Sequence, residues 1–204
     1  GQLLAGRSDL LPPEWTSELG KLREHATAVP WQVLRAQVAE DLGAEPERVF
    51  ASIDTVPLAA ASIAQVHRAR LADGREVVLK IRRPGIQAKV DADLRILFHV
   101  AELIESEMPE ARRYQPVEIA GQFARSLERE LDLAVEARSV ERLAKQFAGD
   151  PYVVIPKVYP QWTSETLNVQ EYVAGIPGTD LAAVKAAGLD PKLLAARGAE
   201  ALLK

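Results

Sequence analysis

A single lysine is predicted to lie on a partly apolar strand face. Lys80 falls in the run Glu76–Ile81, where side chains alternate between two faces, so Val78 and Lys80 share one of them. Burying an ammonium group costs free energy unless an anion meets it, so a carboxylate or a phosphate is expected opposite Lys80. Taken alone, a lysine near a strand end is more often a solvated edge residue. A functional role therefore depends on its neighbours.

Two acids in a later helical segment could supply the carboxylate. Asp132 and Glu136 are four residues apart and share one face of a helix predicted from about Val117 to Phe147. The apolar stripe of that helix comprises Phe123, Leu127, Leu131 and Ala134. Paired acids at this spacing are most often only the solvated side of an amphipathic helix. A strand lysine that meets a helix acid is also the arrangement with which protein kinases grip phosphate.

The segment around the lysine strand predicts a β-hairpin with a small-residue loop in front of it. Gln65–Leu71 and Glu76–Ile81 are rich in β-branched and long apolar residues, and they flank the turn Ala72–Arg75. The preceding loop contains Ala59, Ala60, Ala61 and Ser62. Alanine permits close approach of a ligand but disfavours positive φ, so this loop is expected to be stiffer than a glycine-rich one. Alanine runs otherwise reflect tight packing alone.

Composition excludes several classes of function. The 204 residues carry a formal net charge of −4, and no basic cluster is interleaved with aromatic residues, so nucleic-acid binding is not expected. The absence of cysteine excludes disulfides and thiolate metal sites, and three scattered histidines offer no zinc spacing. His67 is interpreted as a structural hydrogen-bonding residue. No segment has the apolar length of a membrane span, so the chain is expected to be soluble as it stands.

The rest of the chain is predicted to be mostly helical. Proline and glycine positions together with apolar periodicity predict helices over Pro12–His25, Pro30–Gly43, Ile86–Glu107, Thr179–Ala187 and Pro191–Lys204. Two further strands are predicted at Tyr152–Ile155 and Thr166–Glu171.

Four motifs, in order, resemble the UbiB/AarF family of atypical kinase-like proteins, also called the ADCK family. They are Gly1-Gln2 as the tail of a KxGQ motif, AAASIAQVH at 59–67, VVLKIRRPG at 77–85 and ELDLAVEA at 130–137. A weaker match, LNVQEYVAG at 167–175, resembles the hinge between the two kinase lobes. Each motif alone is weakly specific, but the ordered set is strongly specific. The chain is thus similar to the N-terminal portion of this family.

The resemblance implies an α+β fold. A kinase-like N-lobe, with a small antiparallel sheet and a long helix, would follow an N-terminal helical extension, and the C-lobe would be missing. The implied division is 1–47 for the extension, 48–174 for the N-lobe, and 175–204 for the hinge and the start of a truncated C-lobe.

The resemblance also implies residue roles. Lys80 would bind the α- and β-phosphates of ATP with Glu136 as its partner, and hinge backbone groups would receive adenine. The residues expected to bind the nucleotide are Lys80, Glu136, Ala59, Ala60, Ala61, Ser62, Glu171, Tyr172 and Val173. Those expected to be regulatory, holding the extension across the space where a protein substrate would dock, are Gly1, Gln2, Glu130 and Asp132. No catalytic residue and no metal ligand are expected within the chain.

The implied function is that of an atypical kinase or ATPase that supports isoprenoid-quinone biosynthesis or lipid homeostasis. ATP and Mg²⁺ are its implied cofactors, and a quinone precursor, a lipid or quinone-biosynthesis proteins are its implied partners. Association with the cytoplasmic side of a membrane would come only through segments absent here. The catalytic loop and the metal ligands would lie beyond Lys204, so turnover is not expected. A nucleotide-binding pseudokinase and a helical lipid- or protein-binding scaffold remain as alternatives.

Overall fold

The computed structural model describes residues 27–204. The predicted helix Pro12–His25 and the motif residues Gly1 and Gln2 lie outside the described residues. The helices are α1 (Trp31–Leu42), α2 (Pro46–Val49), α3 (Ile86–Glu107), α4 (Pro116–Leu131), α5 (Leu133–Gln146), α6 (Leu181–Ala186) and α7 (Pro191–Leu203). The strands are β1 (Phe50–Ile53), β2 (Ala59–Ala60), β3 (Ala64–Leu71), β4 (Glu76–Arg82) and β5 (Leu167–Glu171). Short 3₁₀ turns cover Pro109–Tyr114 and Pro160–Trp162.

An antiparallel sheet in the order β1-β3-β4-β5 forms the centre of the fold, with β2 added against β3. The predicted hairpin is confirmed: β3 and β4 pair over their length, and Gly74 in the turn adopts a φ of 88°. The alternation predicted for β4 is confirmed too, because Val77, Leu79 and Ile81 are fully buried. Val78 and Lys80 lie on the opposite, partly open face.

Helix α1 covers the buried face of the sheet. Leu34 and Val38 are fully buried and belong to the same apolar cluster as the inward residues of β4 and β5. The helix starts after Pro30 and ends at Gly43, which has the left-handed φ of 64° typical of a C-terminal glycine. These bounds confirm the prediction for this segment. Strands β1 and β2, by contrast, were not foreseen from their short sequences.

Helices α3 and α4 form a second apolar cluster beside the sheet. Val90 and Leu94 of α3 pack with Ala124 and Leu131 of α4. The bounds predicted for α3 are confirmed. The predicted stripe of α4 is wrong at Phe123, which is 54% exposed, because the buried side of this helix is centred on small residues that allow α3 to approach closely.

The long helix predicted from Val117 to Phe147 is wrong, because the chain breaks at Asp132 into α4 and α5. Asp132 has φ −92° and ψ 98°, outside the helical region. Its side chain accepts hydrogen bonds from the backbone N–H groups of Ala134 and Val135, so it acts as the N-cap of α5. In the sequence, Leu131 and Ala134 keep helical spacing across the break, so apolar spacing alone did not indicate it.

The strand predicted at Tyr152–Ile155 is wrong. The Asp150 carboxylate accepts hydrogen bonds from the N–H groups of Tyr152 and Val153, which makes a local turn that competes with strand pairing. Val154 is 73% exposed, and the segment meets the sheet only later, at a bridge between Val158 and Gln170. The predicted α6, α7 and β5 are confirmed with slightly shorter bounds. Among residues 27–204, no helix has both the length and the apolar character that crossing a bilayer requires.

Candidate functional site

A cavity of about 700 Å³ opens between the alanine-rich loop, the open face of the sheet and the break between α4 and α5. The loop contributes Ala59, Ala61 and Ser62, β4 contributes Lys80, and α5 contributes Glu136. The remaining lining residues are Ile63, Ala64, Val66, Ser126, Arg129, Glu130, Leu133 and Val135. The walls therefore combine small and apolar side chains with two cations and two carboxylates.

The predicted lysine–acid pair is present in this cavity. Lys80 Nζ lies 2.5 Å from Glu136 Oε2, and the two side chains are 33% and 38% exposed. A partly exposed pair of this kind contributes only about 0 to 1 kcal/mol to stability. Its main consequence is therefore positional: the pair holds the ammonium group at the cavity wall, where an arriving anion can share it.

Three contacts fix the start of α5 and thereby place Glu136. Asp132 caps the first turn, as described above. The Nη1 of Arg82, two residues after Lys80 on β4, donates to the carbonyl of Leu131 at 2.9 Å and so satisfies the end of α4. The N–H of Leu133 donates to the carbonyl of Glu165 at 3.0 Å. Strand β4 therefore contacts both sides of the break: Arg82 binds Leu131 at the end of α4, and Lys80 binds Glu136 in α5.

Not every predicted residue reaches the cavity. Ala60 is paired with Gln65 in the β2–β3 ladder and is absent from the lining. Of the expected regulatory acids, Glu130 lines the cavity, but Asp132 faces a separate, shallower depression beside Arg125 and Arg129. The shared helix face predicted for Asp132 and Glu136 is wrong, because Asp132 precedes α5 instead of lying within a continuous helix.

The predicted hinge follows directly from β5. The backbone N–H of Glu171 donates to the Lys157 carbonyl at 2.8 Å, and that of Tyr172 donates to the Glu76 carbonyl at 3.0 Å. The Arg68 guanidinium lies 4.3 Å from the centre of the Tyr172 ring and binds both oxygens of Glu76. The same guanidinium holds the pKa of Glu76 below its ordinary value. These contacts fasten Glu171 and Tyr172, the start of the predicted hinge, close to β3 and β4.

A family model described as the ABC1 atypical kinase-like domain matches residues 21–204. The chain belongs to this family. The curated relatives include proteins named probable protein kinase UbiB from Vibrio vulnificus, Sodalis glossinidius and Pseudomonas aeruginosa, which are 41%, 39% and 40% identical over 97 to 98% of this chain. The chain spans 37 to 38% of the length of these relatives. The resemblance to UbiB is thereby confirmed.

A solved structure supports the fold of this ABC1-family chain. The Mycobacterium tuberculosis protein Rv3197, solved as a complex with erythromycin, matches 88% of this chain and 45% of its own with a TM-score of 0.65 and 28% identity. Together with the family match, the five-stranded antiparallel sheet and its helices confirm the predicted α+β, kinase-like N-lobe fold.

The sequence analysis did not predict one residue of the site in this ABC1-family chain, Arg129, nor the strand neighbour of Lys80, Asn168. Arg129 lines the cavity one position before Glu130, so its place next to a recognised motif was a usable signal. Asn168 of β5 is aligned with Lys80 across the β4–β5 ladder and is fully buried. Neither polar atom of its side chain has a hydrogen-bond partner among residues 27–204. Only the strand register reveals this second residue.

His67 has the structural role predicted for it. Its Nδ1 donates to the Asp54 carbonyl at 2.8 Å, and its Nε2 accepts from Gln65 at 2.8 Å. The Gln65 amide also accepts from the N–H of Val29 and donates to the Val29 carbonyl. Burial lowers the pKa of His67. The network is fully satisfied, and it ties the segment before α1 to the sheet.

The described residues fit a nucleotide phosphate better than a magnesium ion. Two cations, small loop residues and a half-open cavity suit an anion, because an alanine-lined wall lets backbone groups come near it. Within residues 27–204, no group of three histidine, aspartate or glutamate side chains is arranged to hold a metal.

Proposed function

We propose that this chain binds ATP in the cavity beneath the alanine-rich loop. The observation that carries the proposal is the Lys80–Glu136 pair, held at 2.5 Å on the wall of a cavity whose roof is the loop Ala59–Ser62. Lys80 would contact the α- and β-phosphates, and Arg129 of α4 is a second cation in the lining of the same cavity. Because phosphate is held mainly by charge and positioning, these groups suffice for binding without catalysis.

Adenine would bind at the hinge segment Glu171–Val173. The N–H groups of Glu171 and Tyr172 already donate within the fold, so we assign the N–H of Val173 as the backbone donor to the base. The contact between Arg68 and the Tyr172 ring supports this placement, because it holds the hinge backbone still beside β4.

For the intact protein we propose an atypical kinase or ATPase that supports isoprenoid-quinone biosynthesis or lipid homeostasis. The family match and the relatives named UbiB support this proposal. Magnesium-dependent ATP hydrolysis or phosphoryl transfer to a non-protein substrate would need a general base and metal ligands from a second lobe. Quinone-biosynthesis proteins and the cytoplasmic face of a membrane are its proposed partners.

Ligand-dependent stability tests nucleotide binding directly. ATP at a hundredfold excess over its Kd is expected to raise the free energy of unfolding of the wild-type chain by about 2.7 kcal/mol. Lys80→Ala should abolish this increase, and Glu136→Gln should reduce it. Lys89→Ala, which removes the same charge from the exposed side of α3, is the matched control and should respond as wild type. Equal stabilisation of wild type and Lys80→Ala would refute the proposed site.

An apolar groove favours a second candidate function, that of a helical lipid- or protein-binding scaffold. A cavity of about 400 Å³ runs between α3 and α4, and it is lined almost wholly by apolar side chains. Val100, Ile119 and Phe123 in its wall are about half exposed. The related Rv3197 was solved in complex with erythromycin, which shows that a similar fold binds a large organic ligand. Unchanged melting of wild type with ATP would favour the scaffold.

A further inference from the structure

Arg83 joins two parts of the chain that are distant in sequence. Its Nε donates to the carbonyl of Ala61 at 2.8 Å, and its Nη2 donates to the carbonyl of Thr27 at 2.8 Å. Its backbone N–H donates to the carbonyl of Ile63, also at 2.8 Å. One residue therefore holds both ends of the three-residue loop segment Ala61–Ile63 and, at the same time, the first described residue of the chain.

The loop that Arg83 holds is the roof of the Lys80 cavity, since Ala61 and Ile63 are among its lining residues. The loop is also held by the N–H of Ala61, which donates to the carbonyl of Ala64 at 2.9 Å, by the two-residue pairing of β2 with β3, and by Ile63, which packs against the apolar cluster of α3 and α4. Alanine side chains add little packing area. The fork of the Arg83 guanidinium is the contact that ties the position of this loop to Thr27.

The N-terminal segment is anchored at two successive places beside this loop. Val29 is bound through both its N–H and its carbonyl by the buried Gln65 amide, at 2.9 and 3.0 Å. Thr27 is bound by Arg83. The first anchor fixes the segment to β3, whereas the second connects it to the loop itself. A shift of the loop must therefore move or break the Thr27 anchor, and a shift of the segment must disturb the loop.

We propose that Arg83 is a positioning residue that couples the segment Thr27–Val29 to the loop over the Lys80 cavity. The effect of Arg83 on ATP binding rests on the proposed function, but the coupling between the two segments does not. Because such coupling is reciprocal, a ligand that binds more tightly when Thr27 is anchored to Arg83 will favour that anchored state by the same factor.

Hydrogen exchange of the nucleotide-free chain tests the coupling independently of ATP. The N–H groups of Val29 and Ala61 are both hydrogen-bonded, so each reports the order of one segment. In Arg83→Ala we expect exchange at both sites to rise about tenfold, the effect of losing hydrogen bonds to a charged group worth about 1.5 kcal/mol. The amides of β4 and β5 should keep their wild-type protection. Arg95→Ala, on the exposed side of α3, is the matched control and should change neither site.

A second measurement adds the nucleotide. In wild type, saturating ATP should slow exchange at Val29 as well as in the loop, and Arg83→Ala should lose the effect at Val29 and bind ATP about fivefold to tenfold more weakly. Arg83→Lys keeps the charge without the fork and should fall between the two; it also replaces Arg83→Ala if that variant unfolds globally. Exchange that rises at neither site, or at only one, overturns the coupling. Absence of ATP binding to wild type overturns the proposed function alone.

Discussion

At the residue scale, two buried amides on the sheet contrast with each other. Gln65 and Asn168 are both fully buried. The Gln65 side chain satisfies Val29 and His67, whereas the side-chain atoms of Asn168 have no partner among residues 27–204. A satisfied buried amide stabilises the fold, but an unsatisfied one costs about 1 to 3 kcal/mol relative to an apolar group of the same shape. The two positions should therefore respond in opposite directions to apolar replacement.

We expect Asn168→Leu, which keeps the branched shape, to raise the free energy of unfolding by about 1 to 3 kcal/mol. Gln65→Met, which keeps the unbranched shape, should lower it by at least about 1 kcal/mol, because it leaves the Val29 groups and His67 unpaired. Urea unfolding of both variants beside wild type measures the difference. A destabilised Asn168→Leu variant would show that the native amide is satisfied in solution.

The sequence predicted residue types better than residue partners. The family resemblance paired Lys80 with Glu136, and the structure contains this ion pair, whereas residue spacing alone left Asp132 and Glu136 both as candidates. Asn168 and Arg83 were missed because their roles depend on register and on a carbonyl far away in the chain, and neither leaves a periodic signal. Asp132 was noticed as a charge, but its function as a cap depends on backbone geometry.

At the element scale, the break between α4 and α5 determines where the site acid lies. If α4 continued through Asp132, Glu136 would lie along the axis of α4. The contacts of β4 with the break would then no longer place Glu136 next to Lys80. The break is held by the Asp132 cap and by Arg82 on the Leu131 carbonyl. Apolar periodicity predicted a single helix because both halves keep the same period.

The cap can be tested by substitution. Asp132→Ala removes the acceptor of the Ala134 and Val135 N–H groups, so we expect a loss of about 1 kcal/mol of stability and fraying of the first turn of α5. Fraying displaces Glu136, so ATP-dependent stabilisation should also weaken. Asp132→Asn retains an acceptor oxygen and should lose less than half as much stability. Equal losses in both variants would mean that the carboxylate charge matters, through Arg138 or elsewhere, and not the cap.

At the scale of the whole molecule, the sheet is covered on one side by α1 and on the other by α5 and the cavity. The sequence predicted the hairpin, α1 and α3, because their apolar periods are strong and their ends carry proline or glycine. It did not predict β1 or β2, which are too short to show alternation. The closure of α1 onto the sheet includes the network of His67, Gln65 and Val29, so the protonation of a single imidazole bears on global stability.

His67 makes that stability depend on pH. Burial lowers its pKa in the folded state below the ordinary 6.5, so the unfolded chain takes up a proton at a pH where the folded chain does not. Unfolding is then favoured as the pH falls below about 6.5, whereas above this pH the titration of His67 no longer changes stability. We expect His67→Asn, which keeps a donor for the Asp54 carbonyl, to be less stable than wild type at pH 7.5. Its free energy of unfolding should, however, fall less than that of wild type when the pH is lowered from 7.5 to 5.5. Urea titrations at both values measure this, and identical pH losses would exclude His67 as the titrating group.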